Sequence, residues 1–79
     1  MKVKVIYFAA MREQAKMNEE WVETTAVNAD ELFDQLNETH GFSLDKSHLK
    51  VAINEDYSEF QTELKEMDTI VFIPPVAGG

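Results

Sequence analysis

The residues of this chain best suited to take part in chemistry lie at its carboxyl end, in the segment Pro74-Pro75-Val76-Ala77-Gly78-Gly79. Glycine has no Cβ, so Gly78 and Gly79 could enter a channel too narrow for any side chain. The two prolines favour an extended start to the segment, which lowers the cost of ordering it in a partner. Fully extended, four residues reach about 13–14 Å beyond Pro75. The same spacing also fits a strand that stops at the prolines and frays.

Other catalytic groups are scarce. The chain has no cysteine, and therefore no thiol nucleophile and no thiolate metal ligand. His40 and His48 have no further histidine or cysteine at ligand spacing, so we expect one at a helix end and the other in a loop. The sequence predicts no cofactor-binding and no metal-binding residues.

Length and charge narrow the possible partners. The 79 residues suffice for one domain, and seven Lys and Arg against fifteen Asp and Glu give a net charge of −8. This charge disfavours nucleic acid as a partner, because phosphates need cationic contacts. No apolar run approaches the roughly 18 residues of a membrane helix, and the first residues lack the apolar core of a signal peptide. We therefore expect a cytoplasmic protein that binds no membrane.

Apolar residues that alternate with polar ones predict strands over residues 2–8, 20–25 and 49–53, and a continuous apolar run predicts a strand over residues 69–73. In the first strand the outer face changes from lysines to Ile6 and Phe8, which predicts an exposed apolar spot near its end. The last strand is apolar on both faces. One face can therefore cover the core, whereas the other needs a partner.

Two helices are expected between these strands. Residues 9–16 favour a short helix. Asn28 as N-cap, Glu31 three residues later and Gly41 as a stop predict the one substantial helix. A turn is expected at residues 54–56, and residues 57–64 fit either helical spacing or a short edge strand. The order of elements predicts an α+β fold in which one main helix packs on one face of a mixed sheet. Parallel pairing of the first and last strands would place Phe8 near Val71 or Ile73.

Three segments carry a resemblance to a known family: VFIPPVAGG at residues 71–79, IYFAAMRE at residues 6–13 and VAIN at residues 51–54. They resemble the endings of type FFxPPVxGG, the FFAxxRE segment and the AVN strand end of the small subunit of molybdopterin synthase. Ile73 stands where that family has its second aromatic residue. The resemblance implies a β-grasp, ubiquitin-like domain over residues 1–75 and a flexible tail over residues 76–79.

The resemblance also implies a mechanism. An ATP-dependent adenylating enzyme, related to ubiquitin activators, would convert the Gly79 carboxylate to an acyl-adenylate, and a sulfur donor protein would supply the sulfur of a thiocarboxylate. The large synthase subunit would then receive the tail, and sulfur would pass to cyclic pyranopterin monophosphate, with two carriers needed for each dithiolene of a heterotetramer. ATP would thus be used by the partner, and this chain would be a non-catalytic, sulfur-donating subunit.

By the same resemblance, Gly79 is the reacting residue and Gly78 its slender neighbour. The residues expected to contact partner proteins are Phe8, Arg12, Ile73, Pro74, Pro75, Val76 and Ala77. Arg12 fits equally well as a solvated helix arginine.

Three alternatives stay open. A sulfur carrier of the thiamin pathway would share the fold and the terminus, although such carriers usually lack the paired prolines. A protein modifier would form isopeptide bonds to lysines through Gly79. An inert ubiquitin-like binding module would function without Gly78 and Gly79.

Overall fold

The computed structural model of the chain describes residues 1–75. Within them lie five strands, two α-helices and one short 3₁₀ turn. In chain order they are β1 Lys2–Tyr7, α1 Ala9–Ala15, β2 Glu19–Glu23, α2 Ala29–His40, the 3₁₀ turn Lys46–His48, β3 Lys50–Ile53, β4 Asp56–Ser58 and β5 Thr69–Ile73.

The strands form one mixed sheet in the order β2-β1-β5-β3-β4. The first and last strands pair in parallel at its centre, with Lys4 opposite Thr69 and Tyr7 opposite Phe72, and the other neighbouring strands pair antiparallel. Parallel pairing brings the carboxyl ends of β1 and β5 to the same edge of the sheet. The predicted pairing, and with it the predicted mixed sheet of an α+β fold, is confirmed.

One face of the sheet carries the core. Inward residues of β1 and β5, such as Val5 and Phe72, are fully buried against the apolar stripe of α2, which contains Leu32, Phe33 and Leu36. The rings of Phe33 and Phe72 meet edge to face, with centroids 5.6 Å apart. Burial of this apolar area is the main force that holds α2 on the sheet.

Helix α2 begins and ends where the sequence predicts. The Asn28 side chain accepts a hydrogen bond from the Glu31 backbone N–H at 2.9 Å. At the other end Gly41 has a φ of 68°, and its N–H donates to the carbonyl of Asn37 at 2.8 Å. A left-handed residue at this position costs glycine little, so the helix stops here.

Several boundaries differ from the sequence predictions. Strand β1 ends at Tyr7, because the Phe8 carbonyl already accepts the first hydrogen bond of α1. Strand β2 covers residues 19–23, since the Thr24 hydroxyl accepts from the Ala26 N–H and turns the chain. Strand β3 begins one residue late, because the Leu49 N–H donates to Lys46 in the 3₁₀ turn.

The region that the sequence left open, residues 57–64, begins as an edge strand. Asn54 and Glu55 form the turn, with φ values of 52° and 74°, so the predicted third turn residue, Asp56, belongs to β4 instead. After Ser58 the chain continues as a loop whose Phe60 and Leu64 pack against the core. Their helix-like spacing reflects two anchors in this loop rather than a helix.

Candidate functional site

The site forms where the last strand passes into the carboxyl-terminal segment. Ile73 ends β5, Pro74 is buried and Pro75 is exposed. The other predicted residues of the tail, Val76, Ala77, Gly78 and Gly79, lie outside the described residues. The site can therefore be described from its base at Pro75.

An apolar groove of about 470 Å³ lies at this base. We call it the tail-base groove, and its lining residues come from the end of β1, the start of α1, the loop after α2 and the end of β5: Phe8, Ala9, Ala10, Leu44, Ile73, Pro74 and Pro75. None of these side chains carries a charge, in a chain whose net charge is −8. Such an opening favours apolar side chains of a partner over ions or polar metabolites.

Phe8 is the most prominent wall of the tail-base groove, with 46% of its surface exposed. The chain turns directly from β1 into α1 at this point, and Ala9 adopts a φ of 50°. For a residue other than glycine this left-handed conformation costs roughly 1–2 kcal/mol. The turn holds Phe8 out of the core, in agreement with the apolar spot expected from the sequence.

The open face of the sheet continues the apolar surface. Ile6, Val71, Ala52 and Tyr57 stand side by side on four neighbouring strands. Tyr57 is 79% exposed. Sequence reasoning did not propose it as a site residue, because its strand has three residues and periodicity cannot show which face a residue occupies in so short a strand. The sequence feature that could have identified Tyr57 is its place two residues after the Asn54-Glu55 turn, which fixes its position in the hairpin.

Arg12 lies elsewhere than the other predicted partner-binding residues. It is exposed on α1 and does not line the tail-base groove. Its backbone carbonyl accepts from the Lys16 N–H, which closes the helix. A contact between Arg12 and a partner stays a prediction.

A polar cluster that the sequence did not predict joins β1, β2 and α2 on the face of the sheet that carries the helix. The Tyr7 hydroxyl donates to the Glu20 carboxylate, and His40 Nε2 lies 2.8 Å from the same oxygen. Burial, followed by the hydrogen bond and the charge of Glu20, raises the pKa of Tyr7 far above its ordinary value. His40 is therefore the expected helix-end histidine with a structural contact to Glu20, which fixes the end of α2 to the sheet edge.

Within residues 1–75 no three side chains of the metal-ligating types lie together. The helices of this part of the chain are also too short or too polar to cross a membrane. Within residues 1–75, the features best suited to contact another protein are the tail-base groove and the apolar residues beside it on the open face of the sheet, Ile6, Val71, Ala52 and Tyr57.

Comparison with known proteins agrees with this geometry. The model of the ThiS family matches residues 5–79. The chain belongs to the ThiS family. A molybdopterin synthase sulfur carrier subunit from Chlamydomonas reinhardtii is 36% identical over 100% of both chains. Another, from Drosophila melanogaster, is 35% identical over 100% of this chain and 92% of the relative. The resemblance to small subunits of molybdopterin synthase is confirmed.

Solved structures share the fold. A protein described as molybdopterin converting factor subunit 1 from Pyrococcus furiosus superimposes with a TM-score of 0.79 at 30% identity, covering 95% of this chain and 98% of that one. A complex of subunits 1 and 2 of the molybdopterin-converting factor from Helicobacter pylori gives 0.69 at 29% identity over 100% of both chains. Small archaeal modifier protein 1 from Methanosarcina acetivorans gives 0.79 at 24% identity over 99% and 96%, a likeness of fold alone. The ubiquitin-like β-grasp fold of this ThiS family member is thereby confirmed.

Proposed function

We propose that this chain is the sulfur carrier subunit of a molybdopterin synthase. The observation that carries the proposal is the similarity to sulfur carrier subunits over the full length of the chain. The matched length includes the segment Pro-Pro-Val-Ala-Gly-Gly, whose two prolines line the tail-base groove. A carrier needs a slender reactive end and a docking surface at its base. It does not need an acid, a base or a metal of its own.

The proposed chemistry takes place at Gly79. One oxygen of its carboxylate attacks the α-phosphorus of ATP within an adenylating partner, and pyrophosphate leaves. The terminal sulfur of a donor protein's persulfide then attacks the acyl carbon, and AMP leaves with the former carboxylate oxygen. A thiol cleaves the resulting acyl disulfide and is itself oxidised to a disulfide with the donor. The product is a thiocarboxylate. In this sequence of steps the carrier supplies the acyl group, whereas its partners supply the residues that bind ATP and substrate.

The second stage takes place in the large synthase subunit. The thiocarboxylate sulfur attacks a carbon of cyclic pyranopterin monophosphate and displaces the oxygen bound there, which forms a thioester between the carrier and the pterin. Water then hydrolyses the thioester, so that the sulfur stays on the pterin and the tail leaves with an ordinary carboxylate. Two loaded carriers are used for one dithiolene, because a dithiolene contains two sulfur atoms. The channel that receives the tail must be narrow enough to position Gly79 and to admit water only after the transfer, which agrees with two residues without side chains at the end.

Two other fates of the same acyl-adenylate compete with this proposal. A thiazole-forming partner would make the chain a thiamin-pathway carrier, an option that the family assignment leaves open. A lysine amine in place of the sulfur nucleophile would form an isopeptide bond, as in a protein modifier. Both share the activation step and differ in the acceptor.

The deciding experiment is an intact mass measurement. The chain, tagged only at its N-terminus, is incubated with ATP, its cognate adenylating enzyme and sulfide. We expect a mass increase equal to the replacement of one oxygen by sulfur, located at Gly79 by fragmentation. Adding the large subunit and cyclic pyranopterin monophosphate should reverse this increase. An unchanged mass, with an enzyme shown to be active on another carrier, would refute the proposal.

A further inference from the structure

The loop after α2 contributes to the tail-base groove through Leu44, and a pair of polar side chains holds that loop in place. The Gln14 amide nitrogen donates to the Ser43 hydroxyl at 2.6 Å, and the Ser43 N–H donates to the Gln14 amide oxygen at 3.0 Å. Ser43 is exposed and Gln14 is half-buried, and the two residues are 29 positions apart in the chain. This pair, the Gln14–Ser43 clasp, connects α1 with the residue next to Leu44.

The residues around the clasp are fixed on both sides. Phe42 is buried, and its N–H donates to the Asn37 side chain at 2.7 Å. Leu44 packs partly against the core and also lines the tail-base groove, together with Phe8 and the first residues of α1. Without the clasp, the segment after Phe42 would lose two hydrogen bonds to α1, and Leu44 would be held less firmly in the groove lining.

The short tail limits how far a partner's surface can lie from the tail-base groove. Residues 76–79 reach at most about 14 Å beyond Pro75. A protein that takes Gly79 into a buried active site must therefore bring its own surface against the base of the tail. Since the groove is apolar throughout, the part of that surface that enters it must be apolar as well.

We propose that the tail-base groove accepts one apolar side chain of the large synthase subunit between Phe8 and Leu44, and that the Gln14–Ser43 clasp is the positioning pair for Leu44. This inference rests on the proposed function, in which the large subunit receives the tail for the transfer of sulfur. Leu44 is then a contact residue for docking, whereas Gln14 and Ser43 act through it and touch no reacting atom.

The test measures binding of the unactivated carrier to its cognate large subunit by calorimetry, so that it does not depend on sulfur chemistry. Leu44→Ser should weaken binding about tenfold and Gln14→Ala about threefold. Gln14→Glu should bind within twofold of the wild type, because its carboxylate can accept from both the N–H and the hydroxyl of Ser43. Single-turnover sulfur transfer at saturating large subunit should be unchanged in Gln14→Ala and Gln14→Glu, because Gln14 touches no reacting atom and does not line the groove.

A control comes from a second half-buried glutamine. Gln35 donates to the Thr25 hydroxyl at 3.2 Å, accepts a hydrogen bond from the buried Thr24 hydroxyl and lies outside the tail-base groove. Gln35→Ala should bind the large subunit like the wild type. Equal losses of affinity in Gln35→Ala and Gln14→Ala would show a general effect on stability and would overturn the role of the clasp.

Further outcomes separate the possible occupants. If Leu44→Ser binds within twofold of a wild type that does bind, the groove inference is wrong while the proposed function stands. If the wild type itself fails to bind the large subunit, both are wrong. In chains lacking residues 76–79, Leu44→Ser should still lower the affinity for the large subunit. If the two affinities become equal, the chain's own tail fills the groove. A dimer in sedimentation that Leu44→Ser dissociates would assign the groove to a second copy instead.

Discussion

At the scale of single residues, the proposed chemistry and the recognition of partners are separated along the chain. In the proposed function Gly79 carries the sulfur that is transferred, whereas Phe8 and Ile73 lie in the described domain and line the tail-base groove. A change at Gly79 should therefore affect reaction without affecting the fold. A change in the groove should affect docking instead.

The clearest residue prediction concerns Gly79→Ala. An added methyl group next to the reacting carbonyl should reduce sulfur transfer about 100-fold or more, because small displacements in a narrow site have effects of that size. The melting temperature should not change. The measurement is the rate of product formation with purified partners. A chain with one extra residue at its N-terminus is the control and should react normally, and a normal rate for Gly79→Ala would contradict the proposed role.

The buried Tyr7 hydroxyl should make the stability of the fold depend on pH. Burial and the contact with Glu20 raise the pKa of its hydroxyl above the ordinary 10.0. A raised folded-state pKa gives stability that is complete below pH 10 and is lost as the pH rises above it, with a slope of up to about 1.4 kcal/mol per pH unit.

The corresponding variant is Tyr7→Phe. It should lower the free energy of unfolding by about 1 kcal/mol at pH 7, through loss of the hydrogen bond to Glu20. It should also flatten the decline above pH 10. Urea denaturation between pH 7 and 11.5 measures both effects. Tyr57→Phe is the matched control, because Tyr57 is 79% exposed, and a variant of Tyr7 that declines as steeply as this control would refute the assignment.

At the scale of elements, the stability of α2 depends on its N-cap residue, Asn28, as well as on its apolar stripe. Asn28→Ala removes the acceptor for the Glu31 N–H and should cost about 1 kcal/mol of stability. Chemical denaturation gives the value directly. Asn18→Ala is the control, since the Asn18 side chain makes no hydrogen bond within residues 1–75. Equal costs for the two substitutions would show that capping contributes nothing here.

The elements also show how far sequence reasoning extends. The start of α2 at Asn28, its end at Gly41 and the bounds of β5 were predictable, because capping residues and alternating apolar residues act within a few positions. The Tyr7–Glu20–His40 cluster was not, since its members come from three elements whose contacts arise only in the folded sheet. Leu44 was not among the predicted contact residues, because its place in the tail-base groove depends on a loop that is joined to α1 by a hydrogen-bonded pair 29 residues apart.

At the scale of the whole molecule, the proposed function requires one small surface to serve two partners. In that function the adenylating enzyme and the large synthase subunit each receive a tail that reaches only about 14 Å. Each must therefore cover the tail-base groove, and we expect them to exclude one another. The acidic charge of the remaining surface, −8 for the chain, should favour partners with basic surroundings of the docking site.

Competition provides the whole-molecule prediction. Adding the large subunit in excess should inhibit adenylation of the carrier, measured as ATP–pyrophosphate exchange. Phe8→Glu should weaken binding to both partners about tenfold, since it places a charge in an apolar contact, with little loss of stability because Phe8 is half exposed. A ternary complex of carrier, enzyme and large subunit in sedimentation would contradict mutual exclusion, and a large drop in melting temperature would assign Phe8 to the core.

The central position of β5 has a mechanical consequence. Four residue pairs connect this strand to β1 on one side and four connect it to β3 on the other. Ladder hydrogen bonds run roughly across the strands, so a force along β5 shears both ladders at once and cannot peel them apart bond by bond. A partner that draws the tail into its channel would therefore pull on a strand that is paired along both edges, and we expect the domain to resist unfolding under that tension.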